Sequence, residues 1–350
     1  MIAHPTIRNA YHLLTILISF VVLIVIPSTL FALESPFSFR TAPIYAQTKI
    51  FLVAGSGQTA NFAQEVLEQK RIWMRAGFSE EEIACYYATP NVREFRRDQE
   101  QFVRIAPLLS QCYPASVSLI RRHMQLIGRG HERPPFLYLY VTSHGERPLS
   151  YRVAKTRTDR MERKLLEEKS RYPVLNQYLL RIDGLEDHPA SFEDLLSAYR
   201  AGEDPEELFM TPIYLRNLLE MSFKDVPKFL VLQGCYSGGF VEDPSQAFGD
   251  QGLKNLSPIT LLTAARHDRA SFGCEPGVVS TYFGGIYNEV LEGRGDDPRR
   301  MDWKALFERV KEKVKEKEIE EERRPPSEPT FYSNFPREGE APAPEIQPNL

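Results

Sequence analysis

The chain has 350 residues, 42% hydrophobic and 26% charged, with a net charge of −4. That length allows one large domain or two smaller ones, each with its own core, and the near-balanced charge leaves no basic footprint for nucleic acid. Four scattered cysteines, Cys85, Cys112, Cys235 and Cys274, are too few for a disulfide framework. The lack of CxxC and HExxH removes the common zinc signatures, and no metal or cofactor is expected.

Leu13 to Ile26 is an apolar run, preceded by Arg8 and the free amino group and closed by Pro27. Counted to Leu33 it reaches about 21 residues, enough to cross a bilayer. We read residues 1–46 as a signal peptide or an N-terminal membrane anchor, with cleavage after Ala32 or Ala46 if it is removed. Either way the rest of the chain is expected outside the cytoplasm: secreted, periplasmic or held at the membrane.

From there strands alternate with helices. Lys49 to Ala54 is a short apolar strand ending in Gly55-Ser56-Gly57, and Phe62 to Ala76 follows as a helix stopped by Gly77. Ile83 to Tyr87 is a second strand, Ala115 to Ile127 a helix, and Phe136 to Thr142 a third strand. Thr211 to Met221 is helical, Lys228 to Gln233 and Ile259 to Ala265 are strands, and Thr281 to Leu291 and Asp302 to Arg323 are helices. This alternation predicts a mostly parallel central sheet covered on both faces, an α/β/α sandwich. Residues 47–324 form this domain. Residues 148–208 are polar and charge-dense and read as an insertion, expected to be partly helical. Residues 325–350, with seven prolines, read as a disordered tail.

Two strand ends carry reactive groups. Leu137-Tyr-Leu-Tyr-Val-Thr-Ser runs into His144-Gly145, and Phe229-Leu-Val-Leu-Gln-Gly runs into Cys235-Tyr-Ser-Gly-Gly239. Ligands of open parallel sheets bind beyond the carboxyl ends of the strands. A histidine there is placed for proton transfer, and a thiol there can be activated by a neighbouring imidazole. The backbone N–H groups of Gly145 and Cys235 can serve as an oxyanion hole. Taken singly, each is as readily a turn histidine or a buried structural thiol. Cys274 reads as a buried thiol. Cys85 and Cys112 read as core thiols that could pair in an oxidising compartment.

Together the motifs resemble the legumain (asparaginyl endopeptidase) family of cysteine peptidases, relatives of caspases. The resemblance spans about Lys49 to Pro336: Ile50 to Ser56 is similar to the family's first strand, Asn61-Phe62 to its Asn-Tyr pair, His144-Gly145 to its His-Gly, Cys235 to Gly239 to its Cys-x-Ser-Gly, and Thr263 to Phe283 to the stretch after the nucleophile. Cys-Tyr-Ser-Gly-Gly-Phe and Pro326 to Pro329 look most like bacterial members. The resemblance implies a caspase-like three-layer α/β/α sandwich and an endopeptidase acting on protein or peptide substrates. Cys235 would then be the nucleophile, His144 the proton-transfer group, and Asn61 the residue orienting the histidine. Ser271, Phe272 and Gly273 would run along the substrate. A transpeptidase using the same thiol, or a silent scaffold of the same fold, are the alternatives.

Two positions depart from the family pattern. Its specificity arginine is Ala63 here, and its glutamate two residues before the cysteine is Gln233. Asparagine selectivity is therefore expected to be weak, with Gln233 lining the pocket. A P1 carboxylate would be disfavoured, and Glu275 is a candidate to supply a negative charge that favours a basic P1.

Overall fold

The computed structural model describes residues 38–56, 60–88, 99–148, 176–182, 208–242, 252–275, 278–294 and 296–335. The apolar run of the expected signal or anchor segment lies outside the described residues. No helix among them is long and apolar enough to cross a membrane.

Seven strands form the central sheet: β1 (Ile50–Ala54), β2 (Ile83–Tyr87), β3 (Tyr113–Pro114), β4 (Leu137–Thr142), β8 (Lys228–Gln233), β9 (Ile259–Thr263) and β10 (Thr330–Ser333), in the order β10-β9-β8-β4-β1-β2-β3. All neighbours are parallel except β10 on β9. Three short strands, β5 (Gly145–Glu146), β6 (Leu179–Arg181) and β7 (Phe209–Met210), form a separate antiparallel sheet. The strands β1, β2, β4, β8 and β9 are buried along their whole length, as expected for parallel strands covered on both faces.

Side-chain alternation along each strand assigns the two faces. Phe51, Val53, Leu137, Leu139, Val141, Leu230 and Leu232 share one core with Val117, Ile120 and Met124 of helix α3 (Val117–Gly128) and Leu215, Leu218 and Leu219 of α4 (Pro212–Phe223). Tyr138 and Tyr140 point the other way. Tyr138 donates its hydroxyl to Gln69 of α1 (Ala60–Arg75) at 2.9 Å and meets Tyr287 of α5 (Tyr282–Glu292) at 3.0 Å. Trp303, which opens α6 (Trp303–Glu320), stacks over Phe229 and Tyr138 on that same face. The remaining helix, α2 (Gln99–Leu109), packs beside α1 and contains Pro107. The expected α/β sandwich with a mostly parallel central sheet is the observed architecture.

Local sequence explains where the helices begin. Ser116, Thr211, Thr281 and Asp302 each accept a hydrogen bond from the backbone N–H three residues on, satisfying donors that have no partner inside the helix.

Three expectations are corrected. The compact unit begins at Phe39, not at residue 47. Arg40 N donates to the Cys112 carbonyl at 2.9 Å, and its guanidinium lies over the rings of Tyr45 and Tyr113. These contacts lay residues 40–45 against the β3 edge. Residues 325–335, read as the start of a disordered tail, carry β10, which pairs Thr330 with Thr263 and Ser333 with Thr260. Residues 176–182, inside the segment read as a polar insertion, include β6 and are buried. The rest of the insertion and residues 336–350 lie outside the described residues.

Cys85 of β2 and Cys112, just before β3, form a disulfide. Of the two readings open from sequence, pairing is the one observed. The bond closes a loop across a separation of 27 residues, for which loop-closure entropy gives about 3.5 kcal/mol of stabilisation. Cys112→Ser is therefore expected to lower unfolding stability by about 2–4 kcal/mol, measured by denaturant titration under non-reducing conditions. Unchanged stability would show that the cross-link contributes nothing to this edge of the sheet.

Candidate active site

The parallel register of β4 and β8 sets Thr142 opposite Gln233. The two reactive segments therefore leave the sheet side by side. Ser143 N donates to the Gln233 carbonyl at 3.1 Å, so the pairing continues one residue past β4. Gly145 then packs directly on the backbone of Cys235: a Cβ at 145 would overlap the carbonyl oxygen of Cys235 and crowd its C and N atoms. The structure thus places Gly145, one residue after His144, against the backbone of Cys235.

His144 and Cys235 are both half-buried. The Cys235 thiol is held by Ser271 on its other side. Ser271 N donates to Sγ at 3.3 Å, and Sγ lies 3.5 Å from the Ser271 carbonyl. Burial pushes the Cys235 thiol up to about 12, with the neighbouring Cys274 adding to the rise against the pull of the Ser271 N–H. Burial holds the His144 imidazole down to about 4, with the Arg181 cation adding to the depression. Burial thus favours the uncharged form of each group, thiol for Cys235 and neutral imidazole for His144.

That charge state has a measurable sign. Below its pKa the thiolate fraction rises about tenfold per pH unit. In Cys274→Ala protein, alkylation of Cys235 by iodoacetamide is expected to accelerate continuously from pH 6 to pH 10. A plateau reached below pH 7 would instead reveal a preformed ion pair.

Tyr236, directly after the cysteine, sits in the left-handed region at φ 60°, a conformation that side chains other than glycine adopt rarely. It is held there by its N–H donating to the Arg269 carbonyl at 2.8 Å and by Arg147, whose guanidinium lies 4.7 Å from its ring centroid. Ser237 to Phe240 form a 3₁₀ turn. Gly238 N donates to the Ala265 carbonyl at 2.8 Å, and Ser237 Oγ accepts from Ala265 N at 3.3 Å. These bonds anchor the cysteine loop to the chain leaving β9.

Asn61 is buried at the start of α1. Its Nδ2 donates to the Gly273 carbonyl at 2.7 Å, and its Oδ1 accepts from Phe62 N at 2.9 Å. The Phe62 ring meets the His144 ring edge-on, with centroids 5.1 Å apart. Asn61 thus ties α1 to the 271–275 segment, and Phe62, one residue on, supplies a contact to the histidine. Gly273 adopts φ +87°, so glycine suits this bend of the segment. Phe272 O accepts from Tyr282 N at 3.0 Å, fixing the segment to the start of α5. Glu275 is exposed, and its carboxylate pairs with Arg323 at 2.9 Å. Arg323 also lies over the rings of Phe272 and Tyr282. The candidate charge from Glu275 is thereby matched by a cation of the chain itself. Gln233 is buried, and its Oε1 lies 2.8 Å from Thr142 Oγ1.

Sequence reading missed the contribution of β6. Arg181 N donates to the His144 carbonyl at 2.9 Å, and Ser143 Oγ donates to the Arg181 carbonyl at 2.5 Å. Leu180 Cδ2 lies 2.6 Å from where a Cβ on Gly234 would be, and the Tyr178 ring covers Gly239. One short strand thus braces both reactive loops. The only sequence signal for it is the apolar stretch Tyr178 to Ile182 within charge-dense surroundings.

The Peptidase C13 family model matches residues 205–328. This stretch contains Gln233, Cys235 and the 271–275 segment, and leaves Asn61 and His144 outside it. No curated protein sequence matches the chain. Among solved structures, caspase-1 from Spodoptera frugiperda is similar at 12% identity, covering 84% of this chain and 91% of its own, with a TM-score of 0.42. A Geobacter sulfurreducens protein is similar at 9% identity, covering 82% and 92%, with a TM-score of 0.43.

Proposed function

We propose that the protein is a cysteine endopeptidase that cleaves protein or peptide substrates with Cys235 as nucleophile and His144 as the proton-transfer group. The observation that carries this reading is the packing of Gly145 on the Cys235 backbone at the paired ends of β4 and β8. It is supported by the family match over residues 205–328, which include β8, Cys235 and β9. In the proposed reaction Sγ attacks the scissile carbonyl carbon while the thiol proton passes to the neutral imidazole. The oxyanion is met by backbone N–H groups of Gly145 and Cys235. Imidazolium then protonates the leaving amine as the C–N bond breaks, leaving a thioester. Water adds to the thioester carbonyl, giving its proton to His144, and the thiol is released with the carboxylic acid product.

Ser271 to Gly273 would lie along the substrate backbone, with Asn61 holding the segment through the Gly273 carbonyl. Action outside the cytoplasm belongs to the same proposal. It is supported by the Cys85–Cys112 disulfide, since such bonds persist in oxidising compartments, and by the apolar N-terminal run, which would export the chain or anchor it. Digestion of a mixed peptide library by the purified protein, with and without a thiol-directed inhibitor, tests the reaction class. Cleavage that continues after every cysteine is alkylated would remove the thiol from the mechanism.

A further inference from the structure

Glu65 lies on α1 one helical turn after Asn61, so both side chains project from the same face of the helix. Asn61 touches Gly273 of the segment beside Cys235, and Glu65 therefore lies one turn deeper beneath the same site. Its carboxyl group is buried, at 1% exposure. Oε2 lies 2.6 Å from Thr142 Oγ1 and accepts from Tyr140 Oη at 2.8 Å, while Oε1 accepts from Thr281 N at 2.6 Å. Thr142 Oγ1 is also 2.8 Å from Gln233 Oε1. Gly284 supplies the room, because a Cβ there would overlap the Glu65 carboxyl group.

Asn61 with Gly273, Glu65 with Thr281, and Glu65 with Thr142 and Gln233 are thus joined by hydrogen bonds beside the strand end that leads to Cys235. Gly273 closes against Thr281, whose Cα lies 2.9 Å from where a Cβ on Gly273 would be. The charge balance there is one-sided. A hydroxyl has one proton to donate, yet Thr142 stands between a carboxylate oxygen and an amide oxygen. Among the described residues no lysine, arginine or histidine pairs with Glu65. Burial accordingly raises its carboxyl pKa against the pull of its donors, of which Thr142 is the strongest. Glu275, by contrast, is already paired with Arg323.

We infer that Glu65 is the specificity-determining anion of the site and that the substrate class is peptides with lysine or arginine at P1. This rests on the peptidase reading above. The P1 side chain enters past Gln233, whose amide leaves its Thr142 contact, and the guanidinium or ammonium group meets the Glu65 carboxylate. A long side chain suits the geometry, because the carboxylate lies a full helical turn below Asn61. A buried ion pair of this kind discriminates strongly, since removing one partner leaves the other charge desolvated. A P1 aspartate would place two carboxylates together, and a P1 asparagine would bring no counter-charge.

The test is cleavage of a fluorogenic peptide series differing only at P1, by wild type and by Glu65→Gln. Wild type is expected to cleave after arginine or lysine with kcat/KM at least 100-fold above asparagine or aspartate. Glu65→Gln should lose at least 100-fold on the basic substrates, and its ratio of kcat/KM on arginine to that on a neutral P1 residue should fall towards one. A wild type that cleaves without basic preference overturns this assignment and leaves the peptidase reading standing, as does a Glu65→Gln variant that keeps the preference. Failure of wild type on every P1 residue overturns the peptidase reading, and this one with it. Should Glu65→Gln not fold, a wild-type measurement decides. Peptide aldehydes ending in arginine and in citrulline, its neutral isostere, should differ at least 100-fold in inhibition. Equal inhibition overturns the assignment.

Discussion

Cys235→Ala removes peptide cleavage by at least 10⁴-fold while the protein stays folded, and His144→Ala removes it by at least 10³-fold. These are the expected results of replacing the two groups that form and resolve the thioester. Neither change should unfold the chain, because both side chains are half-buried at strand ends rather than in the core clusters. The thermal transition of each variant should lie within a few degrees of wild type, as for a loss of about 1 kcal/mol or less. The control is Cys274→Ala. Both cysteines are free, and Cys274 is close enough to raise the Cys235 thiol pKa. Only Cys235, however, has its backbone against Gly145. Retained cleavage in folded Cys235→Ala, or loss of cleavage in Cys274→Ala with Cys235 intact, would move the nucleophile elsewhere.

Gly145→Ala is expected to lose at least 100-fold in kcat/KM, although it adds a single methyl group. That methyl would collide with the carbonyl oxygen, carbon and nitrogen of Cys235. All three are backbone atoms, so no rotamer change relieves the overlap. Gly145 is also held from behind by its pairing with Leu180 across β5 and β6, so the two reactive loops must separate. A shift of about 1 Å between positioned groups is enough to cost a factor of 100, and the overpacking itself costs about 1–3 kcal/mol. Gly234→Ala gives the contrast. Its nearest obstruction is Leu180 Cδ2, the end of a side chain that can turn away, with the Ser143 carbonyl next at 2.9 Å. It should lose less activity than Gly145→Ala. Comparison of kcat/KM for the two variants, with thermal melts to confirm folding, checks the ordering. Wild-type kcat/KM in Gly145→Ala would mean that the close approach of the two loops is irrelevant to turnover.

The local pattern of residues was sufficient to place the five long strands and most of the helices. Ile83–Tyr87 and Lys228–Gln233 fall where their apolar runs place them, because strands buried on both faces must be apolar throughout. His144, Gly145 and Cys235 were legible for a related reason. Each follows such a run directly, so the end of the strand and the position of the reactive group are one signal.

What the tertiary structure decided depends on partners distant in sequence. The β4–β8 register places Thr142 beside Gln233 and so joins Glu65 to the site; no periodicity in either strand contains that pairing. β6 escaped notice because five apolar-rich residues are diluted by the charged stretches around them, and its burial comes from pairing with β5 and β7 and from packing against Gly55, Gly234 and Gly239. β10 was hidden by flanking prolines, and it is a strand because β9 offers it an antiparallel edge. Cys85 and Cys112 pair because β2 and β3 lie side by side. Glu275 and Glu65 are both acidic residues near the cysteine, and only the fold separates them, giving one an arginine at the surface and burying the other with no cation beside it among the described residues.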